Sequence, residues 1–323
     1  MKLLLIDGFY YAYRSFHAMP DLRNARDEPT GATHGFIKSL RRVMADVTPD
    51  AVSVIWDEGL PERRTTLLPE YKQQRDEMPM DLQVQLFLIR DLVEAFGVKN
   101  LSLPGTEADD LMASYAIQTA SQGGTCVIAS SDKDVQQVVT ENILVYSTLK
   151  HDLPAPDATF GLLGPEAVER KWGVPPALLG DLLSLTGDSS DNIPGVPGVG
   201  PKGAASLLNK YGSLDAVLAL PADLPEKLRL KLSEHGEAVR RNREMVRLDL
   251  DLPLPLPPES LIPMPDAPRI RELAEAAGLR SLATEFGAPA SAKPAPAPKG
   301  PKKTPPTAPL PIPPDSPIQG ELF

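Results

Sequence analysis

Cysteine is almost absent from this sequence. The 323 residues hold one, Cys126, so no internal disulfide can form and a reducing compartment is the natural home. It sits inside the apolar run Thr125-Cys-Val-Ile-Ala129, as a core residue rather than a reactive one. Long apolar runs are missing as well: nothing approaches the roughly 18 residues that a membrane span needs. Met1 leads straight into Lys2-Leu-Leu-Leu-Ile6, too short for a signal-peptide core. The expected setting is cytoplasmic, with no membrane partner. No cluster of cysteine and histidine shows zinc spacing. An excess of positive charge is lacking too. With 33 Lys and Arg against 43 Asp and Glu, the net charge is −10, which ordinarily argues against a nucleic-acid partner. Distribution counts for more than the sum, because basic residues gather at Arg63, Arg64, Lys72 and Arg75 and again between Lys227 and Arg247.

What is present is a repeated pattern of apolar runs that end in an acid. Leu3-Leu-Leu-Ile6 precedes Asp7, Val52-Ser-Val-Ile-Trp56 precedes Asp57, and Cys126-Val-Ile-Ala-Ser-Ser131 precedes Asp132. These read as buried strands. Helical patterns over 35–47, 81–96 and 107–120 lie between them, which predicts an α/β fold with a mostly parallel central sheet flanked by helices. In such sheets ligands bind beyond the carboxyl ends of the strands, so Asp7, Asp57 and Asp132 are expected along one edge. The expected organisation is an α/β half over 1–163 and a helical half over 164–287. A last helix is expected over 268–286. After Gly287 the composition turns to Pro, Ala, Lys and Ser, too poor in apolar bulk to fold alone, and 288–318 reads as a disordered linker.

The densest acid cluster, Glu107-Ala-Asp-Asp110, opens a helix, with Glu107 and Asp110 on one face. Acids in a first helical turn also suit the helix dipole, so the cluster alone has a purely structural explanation. Ser131-Asp-Lys-Asp134 and Thr186-Gly-Asp-Ser-Ser-Asp191 add Asp132, Asp134, Asp188 and Asp191, each explicable singly as a cap or turn residue. Together Asp7, Asp57, Glu107, Asp109, Asp110, Asp132, Asp134, Asp188 and Asp191 make nine carboxylates. Such a number cannot share a site without cations to offset their repulsion. Oxygen-only ligands favour Mg2+ or Mn2+, and two ions roughly 4 Å apart suit phosphoryl transfer.

Two segments suit a phosphate backbone. Asn192-Ile-Pro-Gly-Val-Pro-Gly-Val-Gly-Pro-Lys-Gly-Ala-Ala-Ser-Leu-Leu208 has the pattern of a helix-hairpin-helix. There Gly195, Gly198 and Gly200 admit a phosphate to backbone N–H groups, Pro201 starts a helix and Lys202 adds charge. An ordinary glycine-rich helix connection is the plainer alternative. In Arg63-Arg-Thr-Thr-Leu-Leu-Pro-Glu-Tyr-Lys-Gln-Gln-Arg75, Tyr71 is suited to stack on a base while Lys72 and Arg75 address phosphates. A solvated charged face is the reading preferred for Arg63.

With these residues assembled, the chain resembles the 5′ nuclease family that includes the 5′→3′ exonuclease domain of bacterial DNA polymerase I and the flap endonucleases. The likeness runs from about Leu3 to Phe286. It rests on Leu5-Ile-Asp-Gly8 with Tyr13-Arg-Ser-Phe-His-Ala18, on Trp56-Asp57, on Pro69-Glu-Tyr-Lys72 with Arg75, on the two acid motifs at 107–110 and 131–134, and on Gly187 through Gly198. The resemblance implies that the nine acids are metal ligands, that Lys72 and Arg64 address the scissile phosphate, and that Tyr71 helps to hold the unpaired end. It also implies an arch around 60–82 over the site, DNA binding by the helical half over 164–287, and a monovalent cation, K+, near the hairpin. Expected substrates are DNA with 5′ flaps, nicks or RNA primers, acted on by a monomer. Arg63, where the family usually has an aromatic residue, and Phe9, where a small polar residue is common, depart from the pattern without removing a carboxylate. No polymerase-like segment follows within the sequence, so a stand-alone relative is expected. A ribonuclease of related chemistry and an inert junction-binding module are the rival readings; the hairpin weighs against the first and the acid set against the second.

The sequence ends Gln319-Gly-Glu-Leu-Phe323, which resembles the peptide by which bacterial replication and repair proteins bind the sliding clamp. Gln319, Leu322 and Phe323 are the expected contacts. A linker such as 288–318 spans roughly 30 Å on average, or about 95 Å when polyproline-like.

Overall fold

The computed structural model describes residues 1–287; the linker and clamp-peptide expectations for 288–323 lie outside them. Six strands form one sheet: β1 (Lys2–Asp7), β2 (Ala51–Ile55), β3 (Lys99–Leu101), β4 (Thr125–Ala129), β5 (Ile143–Ser147) and β6 (Gly161–Leu163), in the order β3-β2-β1-β4-β5-β6. All pairs are parallel except β5 with β6. The unbroken apolar runs of β1, β2 and β4 follow from burial on both faces. Successive side chains of β1 alternate between two cores. Leu3 and Leu5 face one that contains α5 (Ala108–Ser121), α7 (Leu179–Thr186), α8 (Pro201–Tyr211) and α10 (Glu226–Val246). Leu4 and Ile6 face the other, with α1 (Gly8–Ala18), α2 (Gly31–Val47), α4 (Met80–Ala95) and α11 (Ala267–Ala277).

The mostly parallel sheet flanked by helices is thus present, and its winding reverses at β1, which pairs β2 on one side and β4 on the other. A crevice opens at the carboxyl ends of the strands at such a reversal, and Asp7 is the last residue of β1 there. Three details differ from the sequence reading. The short strands β5 and β6 carry too little periodicity to stand out. The helix expected over 268–286 is two helices, α11 and α12 (Arg280–Gly287), because Gly278 takes a left-handed φ of 73° that ends the first. The third is α3 (Glu62–Leu67), a helix of six residues that begins the segment expected to arch over the edge.

In the helical portion, α8 begins with Pro201 at its first position and ends at left-handed Gly212. Ser213 then caps α9 (Leu214–Leu218), accepting from the Ala216 N–H at 3.2 Å. Between α7 and α8 the chain makes a tight hairpin whose short strands Gly187–Asp188 and Ile193–Pro194 pair antiparallel. Met1–Gly287 form one compact unit.

Candidate active site

The strand ends and helix starts set the acids side by side. Asp7 caps α1, accepting from the Tyr10 N–H at 2.9 Å, while its other oxygen accepts from Ser130 Oγ at 2.8 Å. Asp57, two residues past β2, accepts from the Ala108 N–H at 3.0 Å and so ties that strand to the start of α5. Asp132 accepts from the Asp134 N–H at 2.8 Å, and Ser130 Oγ accepts from the Asp132 N–H at 3.1 Å. One serine therefore orients the acids that follow β1 and β4. On the hairpin, Asp188 accepts from the Ser190 N–H and hydroxyl, each at 3.0 Å.

Charge is balanced unevenly. Burial pushes the Asp7 carboxyl up to about 7, with the Asp57 and Asp132 charges adding to it. Burial, and repulsion led by Asp132, hold Asp109 and Asp134 well above the ordinary carboxylate range. Burial opposes ionisation of Glu107 too, but Lys72 and Arg64 outweigh it and hold that carboxyl below its usual value. At Asp188, Lys133 and Ser190 likewise outweigh burial; the Lys133 ammonium lies 2.6 Å from Asp188.

The nine acids accordingly fall into two groups. Asp109 is repelled by Asp132, Asp7, Asp57 and Asp134, which places it with the strand-end acids. Glu107 and Asp110, on the other face of the same helical turn, close on Arg64. Asp110 is fully buried. Its Oδ1 accepts from Arg64 Nη2 at 2.8 Å and from the Asp249 N–H at 2.9 Å, and its Oδ2 from Arg64 Nη1 at 2.7 Å. The expectation that Asp110 is a metal ligand is corrected: it is turned toward Arg64 in the interior, away from the strand-end acids.

The basic segment differs from expectation in the same way. Arg64 is 3 % exposed and Tyr71 4 %. Arg64 also donates to the carbonyls of Met245 and Arg247, so it braces α5 against the end of α10 rather than meeting a phosphate. The Tyr71 hydroxyl donates between Glu107 and Asp191, and its buried ring has no face for an unpaired base. Arg63, expected in solvent, donates to the carbonyl of Glu244 and pairs with Asp249 at 3.2 Å. Lys72 meets Glu107 and lies 3.6 Å from Asp191, and Arg75 pairs with Asp191 at 2.7 Å while half exposed. These two cations remain at the rim of the acids.

The fit to a divalent cation rests on two observations. Oxygens of Asp134, Asp188 and Asp191 lie within 4.8 Å of one another. Asp134 Oδ1 is buried with no hydrogen-bond partner among the described residues, an arrangement that costs free energy unless a cation completes it. Hard carboxylate oxygens suit such an ion.

Of the hairpin glycines, Gly195 serves packing: a Cβ there would lie 2.0 Å from the Thr186 carbonyl oxygen. Gly198 has φ of 79°, and Gly200 is open, with nothing within 4 Å of a would-be Cβ. Lys202 is exposed at the start of α8. The sequence reading missed Ser130, Lys133 and Asn242. Asn242 Nδ2 donates to the carbonyls of Ser184 at 3.1 Å and Pro194 at 2.7 Å and so holds the hairpin. Lys133 stood in plain view inside Ser131-Asp-Lys-Asp134, where attention to the acids hid it.

Comparison with known proteins agrees with this geometry. Residues 2–173 match a family model described as 5′-3′ exonuclease, N-terminal resolvase-like domain, and 174–268 match the 5′-3′ exonuclease, C-terminal SAM fold. The 5′-3′ exonuclease of Aquifex aeolicus is 38 % identical over 216 residues, 67 % of this chain and 72 % of that protein. That of Buchnera aphidicola is 31 % identical over 256 residues, 77 % of this chain and 86 % of the relative. DNA polymerase I of Rhizobium leguminosarum is 39 % identical over 255 residues, 76 % of this chain but 24 % of the polymerase. The chain spans a quarter to about a third of the length of such polymerases. In fold it is similar to the T5 D15 protein co-crystallised with metal ions, with TM-score 0.59, 20 % identity, and 88 % and 98 % of the two chains covered. The catalytic core of Rad2 in complex with a DNA substrate gives TM-score 0.59 at 16 % identity, over 88 % of this chain and 92 % of that one. Both domain models in order, and relatives above 30 % identity that this chain largely covers, establish that it belongs to the 5′-3′ exonuclease family.

Proposed function

We propose that the chain hydrolyses DNA phosphodiesters at 5′ ends, flaps or nicks, RNA primers included, using Mg2+ or Mn2+. The observation that carries this reading is the acidic edge itself, above all the partnerless Asp134 Oδ1 beside Asp188 and Asp191. Asp7, Asp57, Asp109, Asp132, Asp134, Asp188 and Asp191 would hold the ions. Bound there, divalent ions supply Lewis-acid activation of a water and charge stabilisation at the leaving oxygen. Lys72 and Arg75, on the segment 60–82 that bridges to the hairpin, offer cations to the entering phosphate. Arg64 and Tyr71 act as positioning residues that fix Glu107 and the start of α5. Gly198, Gly200 and Lys202 receive the backbone of the duplex, without base readout.

A monovalent ion at the hairpin, K+ in this reading, would compete with Lys231, whose ammonium sits 2.6 Å from the Pro197 carbonyl. The protein would act as a cytoplasmic monomer with an α/β nuclease half and a helical DNA-binding half. Gln319, Leu322 and Phe323 would recruit it to a sliding clamp across the 288–318 linker.

The test is cleavage of a 5′-labelled flap beside a matched single strand, in Mg2+ or EDTA, by the wild type, Asp132→Asn and Asp188→Asn. Metal-dependent cutting near the junction that both substitutions abolish is the expected result. Tight flap binding with no cleavage by the wild type would instead favour a junction-binding module.

A further inference from the structure

Arg241 is half-buried on α10 with nothing to balance its charge. Its neighbours on the helix are paired: Arg240 and Arg243 reach Asp215 at 4.0 and 3.0 Å. Arg241 makes no hydrogen bond and no ion pair among the described residues, and its Nε is shielded from solvent without an acceptor. A shielded N–H without an acceptor costs free energy that folding alone does not return. The side chain lines a groove of about 900 Å3 whose walls include Trp172, the turn through Gly187, Asp188 and Ser190, and Gly195 with Pro201. Lys133 lines the same groove. The groove therefore joins Asp188 of the acidic edge to the hairpin and the start of α8 at Pro201. Of its acids, Asp188 is occupied by Lys133, and Glu70 is exposed at the rim.

We propose that this groove binds a phosphate of the DNA strand that runs between the acidic edge and the hairpin, with Arg241 as its ligand. The proposal rests on the nuclease reading above. A planar guanidinium is matched to a phosphodiester, which it engages through paired N–H groups. The volume admits a stretch of sugar and phosphate rather than a single small anion. Arg241 thus acts in substrate binding: its loss raises KM and leaves kcat close to the wild-type value, because the contact forms equally in the ground and transition states.

The experiment measures flap-duplex binding in EDTA by the full chain, wild type and Arg241→Met. The duplexes carry one uncharged methylphosphonate at each phosphate near the junction in turn. Arg241→Met is expected to bind about tenfold more weakly and to lower the salt slope by about one. One particular neutral phosphate should weaken the wild type by a similar factor and leave the variant unaffected. Its unfolding temperature should equal or exceed that of the wild type, since the charge it removes has no partner in the fold. Identical methylphosphonate profiles for the two proteins would overturn the proposal, as would a lower unfolding temperature with unchanged affinity. Failure of the wild type to bind any flap would instead bring down the nuclease reading, and this proposal with it.

Discussion

Arg64 grips Asp110 with two nitrogens, at 2.7 and 2.8 Å, in the interior of the protein rather than over its surface. A third contact, to Glu107, sets the guanidinium between two buried acids of one helical turn. Arg64→Met should therefore destabilise the fold by about 3 kcal/mol or more, because it leaves Asp110 buried without a counter-charge. Arg64→Lys should rescue little of this, since an ammonium cannot span both. Chemical denaturation measures it; a stable Arg64→Met with lost activity would mean that the arginine serves substrate after all.

Lys72 should behave in the opposite way. Its ammonium shares Glu107 with Arg64 and Tyr71, and Arg75 remains on Asp191, so Lys72→Ala leaves neither acid without a donor and costs roughly 1 to 2 kcal/mol of fold. Single-turnover cleavage should slow by about 100-fold. Unchanged cleavage would remove Lys72 from the reaction.

Without metal the acids should make stability fall as pH rises. The carboxyls of Asp7, Asp109 and Asp134 are raised by burial and mutual repulsion. The native state therefore binds more protons than the unfolded chain between about pH 4 and 7, and stability declines across that window. Glu107 and Asp188, which are lowered, lose their contribution only below about pH 4. Thermal unfolding in EDTA should show a melting temperature that drops between about pH 4.5 and 7, and saturating Mg2+ should remove most of the drop. A flat or rising profile in EDTA would contradict the assignment.

The hairpin glycines should separate by role. Gly195→Ala drives a methyl into the Thr186 carbonyl and should damage the fold and with it the placement of Asp188 and Asp191. Gly200→Ala meets nothing, so it should melt like the wild type while weakening duplex binding several-fold by obstructing the backbone approach of a phosphate. Melting curves and anisotropy titrations on the two variants decide this.

The acidic edge was legible because strands announce themselves by apolar runs and the acids stand directly after them: Asp7 follows Ile6 and Asp57 follows Trp56. The hairpin was legible from Pro201 and the glycines just before it, whose roles are local. What stayed hidden depends on which way a side chain faces. Glu107 and Asp110 look like Asp109 in sequence, yet they turn toward an arginine 43 and 46 residues away. Tyr71 reads as an aromatic among cations, whereas its hydroxyl is spent on acids contributed by α5 and the hairpin. Gly195 is indistinguishable from Gly200 until the opposing strand of the turn is in place.

After α10 the chain turns back to the sheet. The Leu261 carbonyl accepts from the Val52 N–H at 2.9 Å, Tyr115 Oη donates to the Leu256 carbonyl at 2.7 Å, and Ile270, Leu273 and Leu282 fill the core shared with β1 and β2. The last helices are thus part of the layer that covers one face of the sheet, the first strand included. Trimming the protein before residue 267, where a family boundary lies close by, would lay bare the back of the strands that present Asp7 and Asp57. Such a fragment should lose metal affinity and solubility together, although none of the described residues removed stands at the acidic edge.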